Sequence, residues 1–123
     1  MRDFIQLMKA LSDETRLRIF HLLLERECCV CEVMQALDIS QTRASRNLGI
    51  LQNAGLLKTQ RNGLWVLYSI DRETANRYAT RLAQLLQHHP IENETLTEDR
   101  RRLKLAKRTG PGCTPAQKGK PHD

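Results

Sequence analysis

The fold is decided by residues 38–70, which read DISQTRASRNLGILQNAGLLKTQRNGLWVLYSI. Ser40 ends a short turn and is a favourable N-cap for a helix over about residues 41–53. Gly55 then ends that helix, since glycine is a preferred helix terminator. Two extended runs follow, and the dipeptide Asn62-Gly63 between them strongly indicates a β-hairpin. The stretch therefore predicts a turn, a helix and a hairpin.

Apolar residues before and after this stretch recur with helical spacing. They predict a first helix over residues 3–11, a second helix capped by Ser12-Asp13, a short third helix near Cys31, and a fifth helix that Asp71 caps. A short helix, a tight turn and a longer helix form a helix-turn-helix, and the hairpin adds a wing. The predicted fold class is mainly α (α+β), a winged helix-turn-helix with the order α-α-α-α-β-β-α.

The chain of 123 residues favours a single domain with a modest core. Residues 1–90 are predicted to form the winged helix-turn-helix domain, used for DNA binding and dimerisation. The apolar signal fades from Ile91 on, so residues 91–123 are predicted to be a basic, largely flexible C-terminal tail.

The charge balance favours a polyanionic partner. Twenty Lys and Arg residues against 14 Asp and Glu give a net charge of +6, and basic side chains that neutralise phosphates release counterions. No apolar run is long enough to span a bilayer, and the first residues lack the apolar core of a signal peptide. We therefore expect a cytoplasmic protein with no membrane partner.

The polar first turns of the fourth helix indicate the part that enters the major groove of double-stranded operator DNA. Arg reads guanine and Gln reads adenine most readily, and the wing is expected to contact the backbone or the minor groove. The candidate DNA-binding residues are Ser40, Gln41, Thr42, Arg43, Ser45, Arg46, Lys58, Arg61 and Asn62. One short recognition helix covers only a half-site, which predicts a homodimer formed through the apolar faces of residues 4–11 and 75–86.

The four cysteines are unevenly distributed, with Cys28, Cys29 and Cys31 together and Cys113 near the end. A secreted disulfide scaffold would be richer in cysteine and would spread it along the chain. In a reducing compartment such a cluster is typical of a soft-metal site or a redox switch.

The cluster also contains the pattern C-x-x-C, at Cys28-Cys29-Val30-Cys31. A thioredoxin-like enzyme would require a strand before it and a βαβ context, whereas the preceding segment is predicted to be helical. We therefore expect no enzymatic activity and no organic cofactor, and thiol oxidation as a sensing mechanism stays open.

Two further segments, Leu11-Ser12-Asp13-Glu14-Thr15-Arg16-Leu17 and Glu27-Cys28-Cys29-Val30-Cys31-Glu32-Val33, resemble the ArsR/SmtB family of metal-responsive repressors. The resemblance continues through residues 40–48, Leu51, residues 54–57 and residues 63–68, and covers roughly residues 4–86. It implies the family's fold, a homodimeric state and release from DNA when metal binds.

Within that family, Cys29-Val30-Cys31 resembles the arsenic-responsive subtype, which implies As(III) or Sb(III) as the inducer. Those members carry another cysteine three positions further on, where this chain has Met34. Zinc-sensing members place carboxylate and histidine ligands on the last helix, but residues 72–87 contain no histidine and only Glu73 as a carboxylate. A cadmium- or lead-responsive repressor that uses the same cysteines stays open.

The resemblance implies Cys29 and Cys31 as the metal ligands, with Cys28 or Cys113 as a substitute for the missing third cysteine. Two residues apart on an undistorted helix, Cys29 and Cys31 would point about 200° apart. The expectation is therefore that metalloid binding distorts the first turn of the third helix. Cys28 and Cys31 are three positions apart and would share a face.

Overall fold

The computed structural model describes residues 1–109, which form six helices and one two-stranded antiparallel sheet. In chain order these are α1 (Arg2–Leu11), α2 (Glu14–Glu25), α3 (Val30–Leu37), α4 (Gln41–Asn53), β1 (Leu57–Asn62), β2 (Trp65–Ile70), α5 (Arg77–His88) and α6 (Glu94–Leu105). The predicted winged helix-turn-helix and its element order are confirmed, and α6 is added to them. No helix within residues 1–109 is long and apolar enough to cross a membrane.

The turn between α3 and α4 is fixed by local chemistry. Asp38 has a φ of 57°, a left-handed conformation that Asp tolerates better than most residues. The Ser40 hydroxyl accepts the backbone N–H of Arg43 at 3.1 Å, which satisfies one of the unpaired N–H groups at the start of α4. The predicted cap and helix bounds are therefore confirmed.

The hairpin is present, but its turn lies one residue later than Asn62-Gly63. Asn62 is paired with Trp65 in the sheet, so Gly63 and Leu64 form the two-residue loop. Gly63 has a φ of +64°, and Leu64 does not share that left-handed conformation. Positive φ at the first loop position alone is the pattern of a type II′ turn, which also matches the twist of the strands.

Helix α5 begins later than predicted, because Asn76 caps it and Asp71 does not. The Asn76 side-chain oxygen accepts the N–H groups of Tyr78 and Ala79 at 3.1 and 3.4 Å. Its amide group donates to the carbonyl of Ala54 at 3.1 Å, so one buried side chain joins the end of α4 to the start of α5. Asp71 instead accepts from the nearby N–H of Glu73, within a turn.

The segment after residue 90 differs most from expectation, because α6 packs against α2 and α3. Leu96 and Leu103 are buried, and Asp99 is only 1% exposed. Both oxygens of Asp99 accept hydrogen bonds from Arg18 of α2, each at 2.8 Å. The predicted flexible tail is thus packed structure up to residue 109, while residues 110–123, with Cys113, lie outside the described residues.

Candidate sulfur site and nucleic-acid interface

The sulfur atoms of Cys29 and Cys31 lie 2.8 Å apart. Cys29 is the N-cap of α3, with extended backbone (φ −88°, ψ 171°), and only Cys31 lies within the helix. The expected 200° separation applies to two residues inside one helix, so it does not hold here. The premise that both cysteines lie inside α3 is therefore wrong, and distortion of the first turn of α3 on metalloid binding stays a prediction.

The pair belongs to a small apolar cluster separate from the main core. Cys29, Cys31 and Leu67 are at most 3% exposed, and the partly buried ring of Trp65 packs against them. Trp65 and Leu67 are two residues apart on β2 and therefore lie on the same face of that strand. The wing thus forms one side of the sulfur pair's environment, and we call these four residues the sulfur cluster.

Cys28 lies elsewhere, although it is adjacent in sequence. Its side chain is fully buried in the main core, with its sulfur 3.5 Å from the carbonyl of Arg26. Burial raises the pKa of the Cys28 thiol to about 12. Met34 is also in the main core. The structure therefore does not bring either residue to the sulfur pair, and the expected shared face of Cys28 and Cys31 is not formed.

Cys29 and Glu32 cap the start of α3 reciprocally. The Cys29 sulfur accepts the backbone N–H of Glu32, and the Glu32 carboxylate accepts the backbone N–H of Cys29 at 2.9 Å. This is a capping box in which a sulfur replaces the usual hydroxyl. Burial raises the pKa of Cys29, while the backbone N–H groups of Glu32 and Cys31 oppose that shift. Donors at a helix N-terminus favour a negative charge on this sulfur.

Glu32 is itself buried, at 4% exposure, and two arginines neutralise it. Arg26 and Arg108 each donate to its carboxylate at 3.0 Å. Burial alone would raise the pKa of Glu32, but the Cys29 N–H and the two guanidinium groups together hold it below its ordinary value. The carboxylate is therefore an anionic anchor between α3, the end of α2 and the segment after α6.

That last segment passes close to the pair. The Lys107 carbonyl lies 3.8 Å from the Cys31 sulfur, and Lys107 and Gln35 exchange hydrogen bonds at 2.8 and 3.1 Å. Within residues 1–109, no three Cys, His, Asp or Glu side chains are grouped so that they could hold a metal ion. A third ligand for the pair is therefore absent from this part of the chain, and Cys113 lies outside it.

The predicted recognition helix presents most of its candidate residues to solvent. The exposed side chains on its first turns are those of Gln41, Thr42, Arg43, Ser45 and Arg46. Ser40 is the exception, because it is 6% exposed and serves as the cap of α4. We therefore interpret Ser40 as a structural residue and not as a reader of bases.

The two arginines of this helix differ in their contacts. The Arg43 side chain donates to the Thr15 hydroxyl at 3.3 Å, whereas the guanidinium group of Arg46 makes no hydrogen bond or ion pair with any other described residue. On the wing, Lys58, Arg61 and Asn62 are exposed, as expected for groups that meet a phosphate backbone.

The sequence is similar to those of known bacterial regulators. The family model described as bacterial regulatory protein, arsR family, matches residues 13–59. The arsenic resistance transcriptional regulator ArsR2 of Pseudomonas putida is 39% identical over 97 residues, which are 78% of this chain and 82% of that protein. The chain belongs to the ArsR family. The predicted family resemblance is thereby confirmed at this level.

Two more ArsR-family relatives differ in the metal that their names carry. The arsenical resistance operon repressor of Escherichia coli is 51% identical over 67 residues, 54% of this chain and 57% of that protein. The cadmium resistance transcriptional regulatory protein CadC homolog of Staphylococcus aureus is 43% identical over 72 residues, 58% of this chain and 60% of that protein. The chain spans less than two thirds of these two proteins. All three relatives are named as regulators, in agreement with the prediction of a regulator and not an enzyme.

A solved structure supports the architecture of the family. The solution structure of the homodimeric winged helix-turn-helix DNA-binding domain Mb0332 from Mycobacterium bovis matches with a TM-score of 0.58 and 29% identity. The match covers 75% of this chain and 89% of that domain.

Sequence reasoning missed several residues that hold these ArsR-family sites together. Glu32 was detectable, since a capping residue followed three positions later by Glu is the capping-box spacing. Arg108 gave no such signal, because it is 76 positions away from Glu32. Arg16 of α2 donates to the buried Asn47 side chain at 3.1 Å and to the Ala10 carbonyl at 2.6 Å. It thereby fixes α4 against α1 and α2.

Proposed function

We propose that the chain is a homodimeric DNA-binding repressor that leaves its operator when trivalent arsenic or antimony binds to the sulfurs of Cys29 and Cys31. The observation that carries the proposal is the 2.8 Å separation of these two sulfurs at the start of α3, the helix that leads into α4. Soft sulfur ligands select soft metals and metalloids. Two sulfurs that bind one ion at about 2.3 Å and at an angle of roughly 90–110° lie about 3.3–3.8 Å apart, so binding requires the pair to open by only about 0.5–1 Å.

Cys113 is the proposed third ligand. Within residues 1–109 the pair has no third metal-binding side chain, and Cys28 is buried in the main core. The chain passes the pair at Lys107, six residues before Cys113. With two sulfurs only, arsenic would retain an oxygen ligand and would be held more weakly. Cys113 of the same subunit and Cys113 of the other subunit both remain candidates.

DNA binding is proposed to use α4 and the wing. The exposed residues Gln41, Thr42, Arg43, Ser45 and Arg46 would face the major groove, while Lys58, Arg61 and Asn62 would contact the backbone or the minor groove. Arg46 supports this assignment most strongly, because nothing else in the described chain occupies its guanidinium group.

The homodimer is proposed to form through the outer surfaces of α1 and α5. Part of the predicted interface is used within the chain, since Leu7 of α1 and Ala79 and Ala83 of α5 are buried. The apolar side chains left at 41–53% exposure are Phe4, Ile5, Met8, Tyr78 and Leu85. A second copy would cover them and would place two recognition helices in adjacent major grooves, about 34–36 Å apart. The homodimeric state of the Mb0332 domain supports this arrangement.

Derepression is proposed to pass from α3 to α4. Ligand binding would remove the Cys29 sulfur from its role as acceptor for the first turn of α3. Because α3 packs directly against α4, and Ala36 and Leu37 share the main core with Ala44 and Leu48, a shift of α3 would move the recognition helix.

Two alternatives have specific support. The cadmium-resistance relative favours a repressor that binds cadmium or lead with the same cysteines. Cys31 is disulfide-bonded in this structure while Cys29 is a free thiol, which favours thiol oxidation as the second candidate signal.

The deciding experiment is release from DNA under reducing conditions, with arsenite, antimonite, cadmium and lead titrated in parallel. DNA selected for tight binding to the metal-free protein would serve as the probe. Cys29→Ser and Cys31→Ser are expected to stay on DNA at every arsenite concentration that releases the wild type. Cys28→Ser is expected to respond normally, and if Cys113→Ser also responds normally, the third-sulfur proposal fails. Release by an oxidant alone, with no response to arsenite, would favour the redox alternative.

A further inference from the structure

Strand β2 is attached to the sulfur site by both its backbone and its side chains. Cys28 and Tyr68 exchange two backbone hydrogen bonds, at 3.0 and 2.8 Å, in an isolated antiparallel bridge. The residue just before Cys29 is therefore bonded to the wing. The side chains of Trp65 and Leu67 pack against Cys29 and Cys31, while Tyr68 and Ile70 pack against the main core.

The indole N–H of Trp65 is unusual because it is buried and lacks a hydrogen-bond partner among residues 1–109. Buried donors are paired in the great majority of cases, so an acceptor is expected to arrive at this place. An inducer bound by Cys29 and Cys31 before a third sulfur joins them would still carry an oxygen ligand, and that oxygen would supply such an acceptor.

We propose that Trp65 is a positioning residue that couples the sulfur pair to the wing, so that a ligand on Cys29 and Cys31 acts on DNA contacts through β2 as well as through α4. The inference rests on the proposed function, since it assumes that the pair binds the inducer. The ring of Trp65 packs against the small cluster that holds both sulfur atoms, so a ligand that binds both sulfurs would displace the ring. Because Trp65 begins β2 directly after the wing tip, movement of its ring displaces the residues that would meet DNA.

The first test is the fluorescence of Trp65, the only tryptophan in the chain, in protein reduced with a phosphine. Arsenite is expected to change the emission with an endpoint of about one per protomer, and Cys29→Ser is expected to abolish the change. Bound arsenic is measured separately by elemental analysis. Emission that stays constant while arsenic binds would overturn the proposal and leave the proposed function intact. Absence of bound arsenic in the wild type would overturn both.

The second test measures coupling, as the ratio of DNA affinities without and with saturating arsenite. Trp65→Leu removes the ring, and its coupling ratio is expected to fall about tenfold, within the usual range of allosteric coupling, while arsenic still binds. Val66→Ala is the matched control, because Val66 is partly buried on the opposite face of the same strand. A Trp65→Leu protein with the wild-type ratio would contradict the proposal, as would an equal loss in Val66→Ala.

Discussion

Arg108 donates from Nε to Glu32 Oε1 at 3.0 Å and so joins the segment after α6 to the first turn of α3. The other oxygen of the same carboxylate accepts from Arg26 at 3.0 Å. The Glu32 carboxylate also accepts a hydrogen bond from the backbone N–H of Cys29, the residue that carries one sulfur of the pair. A C-terminal segment that appeared peripheral in the sequence is therefore part of the support of the candidate sensor site.

Replacement of Glu32 by Gln tests this support through its pH dependence. The pKa of Glu32 is lowered by folding from an ordinary value of 4.5, so its carboxylate stabilises the protein above that value, and this stabilisation is lost as pH falls through the lower, folded-state pKa. At about pH 7 the variant is expected to lose about 1–3 kcal/mol of unfolding free energy, since buried charge-assisted bonds are lost. The difference from the wild type should shrink as urea unfolding is repeated towards about pH 3.

Glu98→Gln is the control, because Glu98 pairs with the exposed Arg101, and exposed pairs contribute little to stability. A Glu32→Gln deficit that is the same at neutral and acidic pH would contradict the role assigned to the carboxylate.

The packing of α6 predicts a contrast between two leucines two positions apart. Leu103 is 3% exposed and Leu105 is 67% exposed. Leu103→Ala is expected to cost about 2–4 kcal/mol of unfolding free energy, because it leaves a cavity between helices. Leu105→Ala should change it by less than about 0.5 kcal/mol. Chemical denaturation of both variants measures this, and equal, small losses would mean that α6 does not pack as described.

This helix shows why part of the fold could not be predicted from the sequence. The caps at Asp13 and Ser40 are local, and each is followed by its own helix, so both could be located from residue types alone. Helix α6 buries only three residues among charged ones, and Leu96 and Leu103 are seven positions apart. Asp99 can be buried only because Arg18 neutralises it, and that partner is 81 positions away in the chain.

The candidate site, too, could be predicted only in part from the sequence. The cysteines at 29 and 31 could be selected from the sequence, but their geometry depended on a boundary of one residue. With Cys29 inside α3 the sulfurs would diverge, and with Cys29 as the N-cap they meet. The contribution of Trp65 depends on how β2 pairs with the residue before Cys29, and this long-range contact leaves no pattern in the local sequence.

Arg46→Ala tests the placement of the recognition helix. Its guanidinium has no partner in the described chain, so the substitution should leave folding stability unchanged and weaken operator binding by about 1–3 kcal/mol. Fluorescence anisotropy with labelled operator measures the affinity, and Lys104→Ala, which removes an exposed charge of α6, serves as the control. Wild-type affinity in Arg46→Ala would show that the first turns of α4 do not contact DNA as proposed.

The central claim is that Cys29 and Cys31 bind the inducer and that Cys28 does not. Elemental analysis of arsenic per protomer, in protein reduced without dithiols, measures this most directly. The wild type and Cys28→Ser should each bind about one arsenic per protomer, while Cys29→Ser and Cys31→Ser should bind almost none. Arsenic retained by Cys29→Ser at the wild-type level, or lost by a folded Cys28→Ser, would contradict the account.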